Sequence, residues 1–161
     1  MTLNAEELRT AMRAWTSGVA IVTATSDGEV HGMTVSSFTS ISLDPPLIMI
    51  SLQASSRTHA MVSKAGAFGV TILAADQQDL SERFADRPPG TDHRLDGLAT
   101  ETLLTGAPFI QGGLAWLDCR VFKTIPVGMN TLFVGEVVAV GGKDDSAPLV
   151  YHDRGYRRLR E

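Results

Sequence analysis

Apolar positions along this chain recur with two periods, and the places where the period changes outline its elements. Leu8, Met12 and Trp15 share one face at helical spacing, behind Asn4 and Glu7, which are spaced as a capping pair. A helix is therefore predicted near the N-terminus, stopped by Gly18. Residues 19–25 are β-branched and apolar, Asp27-Gly28 is a hairpin signal, and residues 30–36 answer as the second strand. The apolar run 47–52, entered through Asp44-Pro45-Pro46, reads as a buried strand. Ser55 or Ser56 then caps a helix over 58–64 that Gly66 ends. Residues 68–73 form another strand, and Asp76 is the expected N-cap of a helix running through Leu80 to Phe84 or Ala85.

Residues 87–113 break this rhythm with Pro88-Pro89-Gly90, Asp96-Gly97 and Gly112-Gly113. A connection of that length inside a compact domain is usually functional or mobile. It is read as a lid over a ligand site, or a partner contact beside it, with a short strand near 98–103. Long strands at 114–125 and 131–140 are joined by Pro126-Val127-Gly128-Met129-Asn130, and 148–151 makes a last short strand before a basic tail. Strands outnumber helices and are separated by short turns, which predicts a mainly β fold: a closed or nearly closed antiparallel barrel with a few peripheral helices.

Composition narrows the function classes more than the fold. The 161 residues suit one domain with a full core and show no internal repeat. A formal net charge of −4 argues against a nucleic-acid or anionic-membrane surface, because binding a phosphate backbone requires a basic face. No apolar run is long enough to span a bilayer, and residues 1–13 are polar and amphipathic rather than a signal peptide, so the cytoplasm is the expected compartment. The lone Cys119 excludes an intrachain disulfide and fits a reducing environment.

Hydroxyl side chains crowd two places, 34–42 and 55–58, on either side of the apolar strand 47–52. A planar, partly apolar ligand carrying a phosphate needs that combination: hydroxyls and free backbone N–H groups for the anion, apolar walls for the ring. An ordinary hydroxyl-rich strand without a ligand is the alternative that the chemistry leaves open.

The residues here also carry a likeness. Gly32-Met33-Thr34-Val35-Ser36-Ser37-Phe38-Thr39-Ser40, followed by Ser42-Leu43-Asp44-Pro45-Pro46-Leu47, resembles the signature of the short-chain flavin reductase family, the small reductase components of two-component flavin-dependent monooxygenases. Ser55-Ser56-Arg57-Thr58-His59, Asp76-Gln77, Gly106-Ala107-Pro108, Ala115-Trp116-Leu117-Asp118-Cys119, Thr131-Leu132-Phe133-Val134-Gly135-Glu136-Val137 and Leu149-Val150-Tyr151-His152 match further pieces in order, so the resemblance spans nearly the whole chain. It implies an antiparallel split β-barrel of the Greek-key, FMN-binding kind, usually a homodimer with the flavin site near the subunit contact. It also implies that NADH or NADPH reduces FMN or FAD by hydride transfer and that the reduced flavin leaves for a separate monooxygenase. Such a transfer requires only that the donor carbon sit about 3–3.5 Å from the flavin ring nitrogen with the rings stacked. The lack of a catalytic triad is therefore no argument against an enzyme.

The resemblance assigns roles position by position. Met33, Thr34, Val35, Ser36 and Ser37 match positions that meet the flavin ring and ribityl chain, and Ser51 and Leu52 end the buried strand facing the same ligand. Ser55, Ser56, Arg57 and Thr58 lie at a helix N-terminus, where orphan N–H groups and the helix dipole favour a phosphate; a plain N-cap is the competing view. Arg57 is the one cation of this cluster, which suits a moderate affinity. Phe84 and Arg94 border the long connection, and Arg94 is preferred over Arg83 and Arg87 for the flavin tail or the nicotinamide dinucleotide, against a solvated charged face for each. Gly128-Met129-Asn130 departs from the Gly-Asp-His of many relatives, whose His lies beside the nicotinamide. Asn130 hydrogen-bonds but carries no charge, and it also suits a hairpin turn. His152 follows Tyr151 where relatives also carry Tyr-His, and is either a border of the nicotinamide side or a structural histidine.

Remaining polar residues are read as structural. Glu136 shares the strand phase of Leu132, Val134 and Val138, which places a carboxylate toward an apolar side and calls for an arginine or backbone N–H partner. Cys119 alternates with Leu117 and Val121 as a buried small hydrophobe. His31, His59, His93 and His152 lack metal-ligand spacing, so no metal is expected. Two other functions stay open at this point: a flavoprotein with fixed FMN acting as oxidase or oxygenase, and a non-enzymatic flavin- or haem-binding module.

Overall fold

The computed structural model describes residues 1–85, 93–142 and 145–160. Helix α1 (Ala5–Met12) starts as its sequence requires: Asn4 Oδ1 accepts from Glu7 N at 2.9 Å while the Glu7 carboxylate accepts from Asn4 N at 2.8 Å. It ends at Met12, before the predicted stop, and Gly18 instead pairs with Val150 in the short strand β1 (Ser17–Gly18). Strands β2 (Ala20–Ser26) and β3 (Glu29–Val35) form the expected hairpin, with Asp27 and Gly28 at φ 51° and 77°, the left-handed pair that a twisted two-residue turn needs.

Strand β4 (Thr39–Leu43), absent from the sequence reading, precedes β5 (Pro46–Gln53). Its residues are largely exposed, Ile41 and Leu43 included although they alternate with Ser40 and Ser42, because it is held as an edge by backbone pairing to β5. Helix α2 (Arg57–Ala65) is capped by Ser56, not Ser55, and closed by Gly66 at φ 65°. After β6 (Ala67–Ile72), the predicted cap at Asp76 gives way to a 3₁₀ turn over Ala75–Gln77, in which Gln77 Oε1 accepts from Ala74 N at 3.0 Å, and α3 (Gln78–Ala85) continues from it. Short strands β7 (Thr100–Glu101) and β8 (Phe109–Ile110) pair within the long connection. Strands β9 (Ala115–Val127) and β10 (Asn130–Gly141) run further than predicted, so that the turn shrinks to Gly128 and Met129. A C-terminal hairpin of β11 (Val150–His152) and β12 (Gly155–Arg157) joins β1 in a separate three-stranded sheet.

Seven strands form one antiparallel sheet in the order β3-β2-β6-β9-β10-β5-β4. This is the mainly β fold with three helices that the sequence predicts, with the ring left open. The two edges, β3 and β4, are consecutive in the chain and joined by residues 36–38. The split therefore runs along the hydroxyl-rich segment. Ser37 lies opposite Ser51, two residues beyond the Thr39–Met49 pair at which β4 begins, and its side chain takes over the missing rung: Ser37 Oγ donates to Ser51 O at 2.9 Å and accepts from Ser51 N at 3.2 Å.

Strand β2 is covered on both faces. Ala20, Val22 and Ala24 join the main core with Ile48, Ile50, Leu52, Val62, Phe68 and Phe133, while Val19 and Ile21 join a second cluster with Leu73, Phe84, Ile110 and Leu149. Gly135 lies beneath Phe68 and Cys119, so close that an added Cβ would stand 2.6 Å from the Phe68 ring. The neighbouring outward positions of β5 and β10, among them Leu47, Met49, Leu132 and Val134, are half-buried. Glu136 continues that outer face and is exposed, which corrects the expectation of a buried, partnered carboxylate: its strand phase is as predicted, but the core lies on the other side of the sheet.

The connection expected to be a lid is pinned wherever it is described. Thr23 Oγ1 donates to Pro108 O at 2.6 Å, Ile110 N donates to Thr71 Oγ1 at 3.3 Å, Gln77 Nε2 donates to Gln111 O at 3.0 Å, and Trp116 Nε1 donates to Ile110 O at 3.0 Å. The fully buried Asp118 carboxylate accepts from Leu104 N at 2.7 Å, from Thr105 N at 2.8 Å and from the Thr105 hydroxyl. A freely swinging lid would not carry this many buried anchors. Arg87 and Pro88-Pro89-Gly90 lie outside the described residues.

Candidate functional site

The split brings the two hydroxyl clusters to one rim. From Ser37 the hydrogen bonds lead to Ser51, and Ser51 Oγ accepts from Asn130 Nδ2 at 2.9 Å across the β5–β10 ladder. Strand β5 then turns into α2, with Ser56 N donating to Gln53 O and Ala54 N donating to Met129 O, each at 2.9 Å. Residues 36–37, Ser51, Asn130 and the first turn of α2 thus follow one another along the exit of β5. Beside them β3 is an edge strand, whose outward backbone groups are not used by the sheet.

At the α2 N-terminus Ser56 Oγ accepts from His59 N at 3.2 Å, and no acidic residue lies in the first turn. The helix end is therefore electropositive, as an anion requires. Ser55 is exposed beside it. Arg57 is also exposed and pairs with Glu29 at 3.2 Å, so the predicted cation is shared with a carboxylate. The Thr58 side chain turns inward: it is buried, with Oγ1 2.8 Å from His31 Nδ1.

On the other side of the β3 end a cleft of about 170 Å³ is lined by Val19, Thr34, Val35, Ser36, Ser81, Ala85, Tyr151 and Tyr156. Thr34 Oγ1 donates to Ser81 O at 2.7 Å, Ser81 Oγ lies 2.7 Å from the Tyr156 hydroxyl, and the two tyrosine rings meet edge to face at 5.4 Å. The cleft thus has aromatic walls and hydroxyl corners. Met33 is half-buried and packs on the main core at its margin. Ser81, Tyr151 and Tyr156 were not singled out as ligand contacts from the sequence. The signal available was two tyrosines flanking Asp153-Arg154, whose positive φ values of 48° and 61° turn β11 onto β12 and align the rings.

Other predicted contacts are not brought to this surface. Leu52 and Phe84 are fully inside, in the main and second cores respectively, and offer no face to a ligand. Arg94 Nη1 donates to Phe84 O at 2.9 Å and to Gly32 O at 3.1 Å, tying the long connection to α3 and β3. His152 points away from the cleft and lies 2.9 Å through Nδ1 from Thr16 Oγ1, next to Asp153, which bonds Arg13 Nε at 2.7 Å. That hydrogen bond and the arginine charge hold the Asp153 carboxyl below its usual range. Lys64 is held above its usual range by its hydrogen bond and attraction to Asp27.

Burial, helped by the neighbouring Asp118 charge, pushes the Cys119 thiol up to about 12, which removes it as a nucleophile. Among the described residues no group of three or more His, Cys, Asp or Glu is placed to hold a metal ion. No helix among them is long and apolar enough to cross a membrane. Apart from the Arg57–Glu29 pair, the groups assembled at the rim are neutral hydrogen-bonding groups around one helix N-terminus and one aromatic cleft. They suit a ring with polar edges and an anionic tail, so a flavin phosphate fits the donor set.

Comparison with known proteins agrees with that chemistry. The NADH-dependent flavin reductase StyB of Pseudomonas fluorescens is 40% identical over 143 residues, covering 87% of this chain and 80% of that protein. The reductase component of 4-hydroxyphenylacetate 3-monooxygenase from Thermus thermophilus is 36% identical over 154 residues, covering 96% of each. Among solved structures, the NADH:FAD oxidoreductase SgcE6 of Streptomyces globisporus C-1027 superimposes with a TM-score of 0.91 at 30% identity, covering 100% of this chain and 98% of that one. The family model described as the flavin reductase like domain matches residues 12–160, and with the split sheet and the hydroxyl rim in place the chain belongs to that family.

Proposed function

We propose that this protein is an NADH-dependent flavin reductase that binds FMN or FAD at the split, passes it a hydride and releases the reduced flavin to a separate flavin-dependent monooxygenase. The observation that carries the reading is the open seam, where Ser37, Ser51 and Asn130 form one polar chain beside an unpaired strand edge and the α2 N-terminus. A bound flavin supplies the hydride-accepting ring. The backbone of Met33, Thr34, Val35, Ser36 and Ser37 orients that ring along the β3 edge. Ser55, Ser56, Arg57 and the backbone N–H of Thr58 take the phosphate. Asn130 gives its amide hydrogen to Ser51, leaving its carbonyl oxygen to accept from the nicotinamide carboxamide.

The Glu29–Arg57 pair supports the reading of exchange rather than permanent retention, because a flavin phosphate must compete with a carboxylate already at the arginine. The half-buried apolar positions on the outer face of β5 and β10 support a homodimer, with the site near the subunit contact. An enzyme that draws on NADH and serves an oxygenase belongs in the cytoplasm. Mixing the purified protein anaerobically with FMN or FAD and NADH is expected to bleach the flavin absorbance over many turnovers. Absence of turnover with both flavins and with either NADH or NADPH removes the proposal.

A further inference from the structure

We propose that helix α1 is an arm of the homodimer, its stripe of Leu8, Met12 and Trp15 buried against a second copy of this chain. The proposal rests on the homodimer reading above and goes beyond it in naming the contact.

Within one subunit the long-range polar contacts of the helix and of the turn after it go to one element. Arg13 bonds Asp153 at 2.7 Å, Glu6 pairs with Arg154 at 3.6 Å, and Thr16 reaches His152 at 2.9 Å, all on the β11–β12 hairpin. Glu6 and Arg13 are seven residues apart and share one face, whereas Leu8 and Met12 lie roughly 130° around the helix from them at about 100° per residue, and Trp15 follows in the turn just past the helix end, its N donating to Met12 O at 3.0 Å. No residue of α1 is buried. Leu8, Met12 and Trp15 are 52%, 55% and 70% exposed, so the hairpin fixes the helix with its apolar stripe turned outward.

Area indicates the kind of partner. A monomeric protein of 17.2 kDa exposes about 7,800 Å². This chain exposes 9505 Å², an excess of roughly 1,700 Å². That surplus exceeds the ~800 Å² per partner of a standard transient complex and falls in the range that one subunit of a permanent dimer hides. An oxygenase that collects reduced flavin and leaves meets the protein transiently, through a smaller and more polar patch. A stripe of Leu, Met and Trp is instead the composition of a permanent, desolvated contact. The occupant that this surface fits is a second copy.

The test is sedimentation of the full-length protein as a dilution series, wild type beside the double variant Leu8→Glu/Met12→Glu. Both positions are exposed in the single subunit, and glutamate is a good helix former, so each subunit is expected to keep its fold and its circular dichroism. The dimer dissociation constant should rise at least about tenfold, since two apolar side chains lose their burial. In a second arm, the emission lost on Trp15→Phe isolates Trp15 from the buried Trp116. In the dimer it should be blue-shifted and shielded from acrylamide, and on dilution to subunits it should shift red and become quenchable. A rise of less than tenfold, or a Trp15 that is open to acrylamide in the wild-type dimer, overturns the arm while leaving the homodimer intact. A wild type that is monomeric at every concentration removes the homodimer reading itself.

Discussion

Replacing Ser37 by alanine should open the seam on which the flavin site is built. One side chain holds both backbone groups of Ser51 that face the missing β4 rung, as donor to the carbonyl at 2.9 Å and as acceptor from the N–H at 3.2 Å. Each such bond contributes about 0.5–1.5 kcal/mol net, and because Ser37 is half-buried, water replaces part of the loss, leaving about 1–2 kcal/mol. For a chain of this size that corresponds to a fall in Tm of about 2–8 °C. The loss is concentrated where the flavin ring is proposed to lie, so the KM for flavin should rise several-fold while kcat changes less. Thermal melts of the flavin-free protein and steady-state NADH oxidation against flavin concentration read the two effects. Ser40→Ala, on the exposed stretch of β4, is the control and should be nearly silent. If Ser37→Ala melts within about 1 °C of wild type with an unchanged flavin KM, Ser37 does not hold the seam and the argument from the open rung fails.

Asp118→Ala leaves three part-buried donors of Leu104 and Thr105 without their acceptor, and should cost about 2–4 kcal/mol in urea unfolding; a loss under about 1 kcal/mol would contradict the anchoring role. Asn130→His should introduce into kcat/KM for NADH a pH dependence centred near the usual histidine pKa of about 6.5, absent from the wild type; superimposable profiles would place residue 130 away from the nicotinamide. Cys119 should resist thiol reagents until the chain unfolds. Its thiol is raised to about 12 in the folded state against about 8.5 when unfolded, so between those values the unfolded chain releases a proton that the folded one keeps. The thiol's contribution is thus fully present below about pH 8.5 and is lost toward pH 12, by up to about 1.4 kcal/mol per pH unit, a slope that Cys119→Ala should remove from alkaline unfolding curves.

Local chemistry was legible in the sequence wherever neighbours in the chain decide the outcome. Asn4 with Glu7, Asp27-Gly28, Ser56 and Gly66 each set a cap or turn through groups within a few residues, and all formed as their side chains dictate. The apolar run 47–52 likewise announced β5 as a buried strand. The family signature marked the hydroxyl segments, which the structure brings to one rim. Edge strand β4 was missed although Ile41 and Leu43 alternate with serines; both side chains stay exposed, and the strand is held by backbone pairing rather than by an apolar face.

What tertiary structure alone decided is which side of each strand meets the core and which distant residues share a surface. The outer face of β10 exposes Glu136, although its strand phase was read correctly, because the curl of the sheet sets which side is inside. Leu52, Phe84 and the Thr58 hydroxyl are expected ligand contacts yet face inward, since adjacent positions on a strand or helix point to different sides. Ser81 and Tyr156 reach Thr34 from 47 and 122 residues away in sequence through the packing of α3 and the C-terminal hairpin. Local sequence determined the pieces and their chemistry. Where the barrel splits, and so where Ser37, Ser51 and Asn130 meet, was decided by long-range register, which no short stretch of chain encodes.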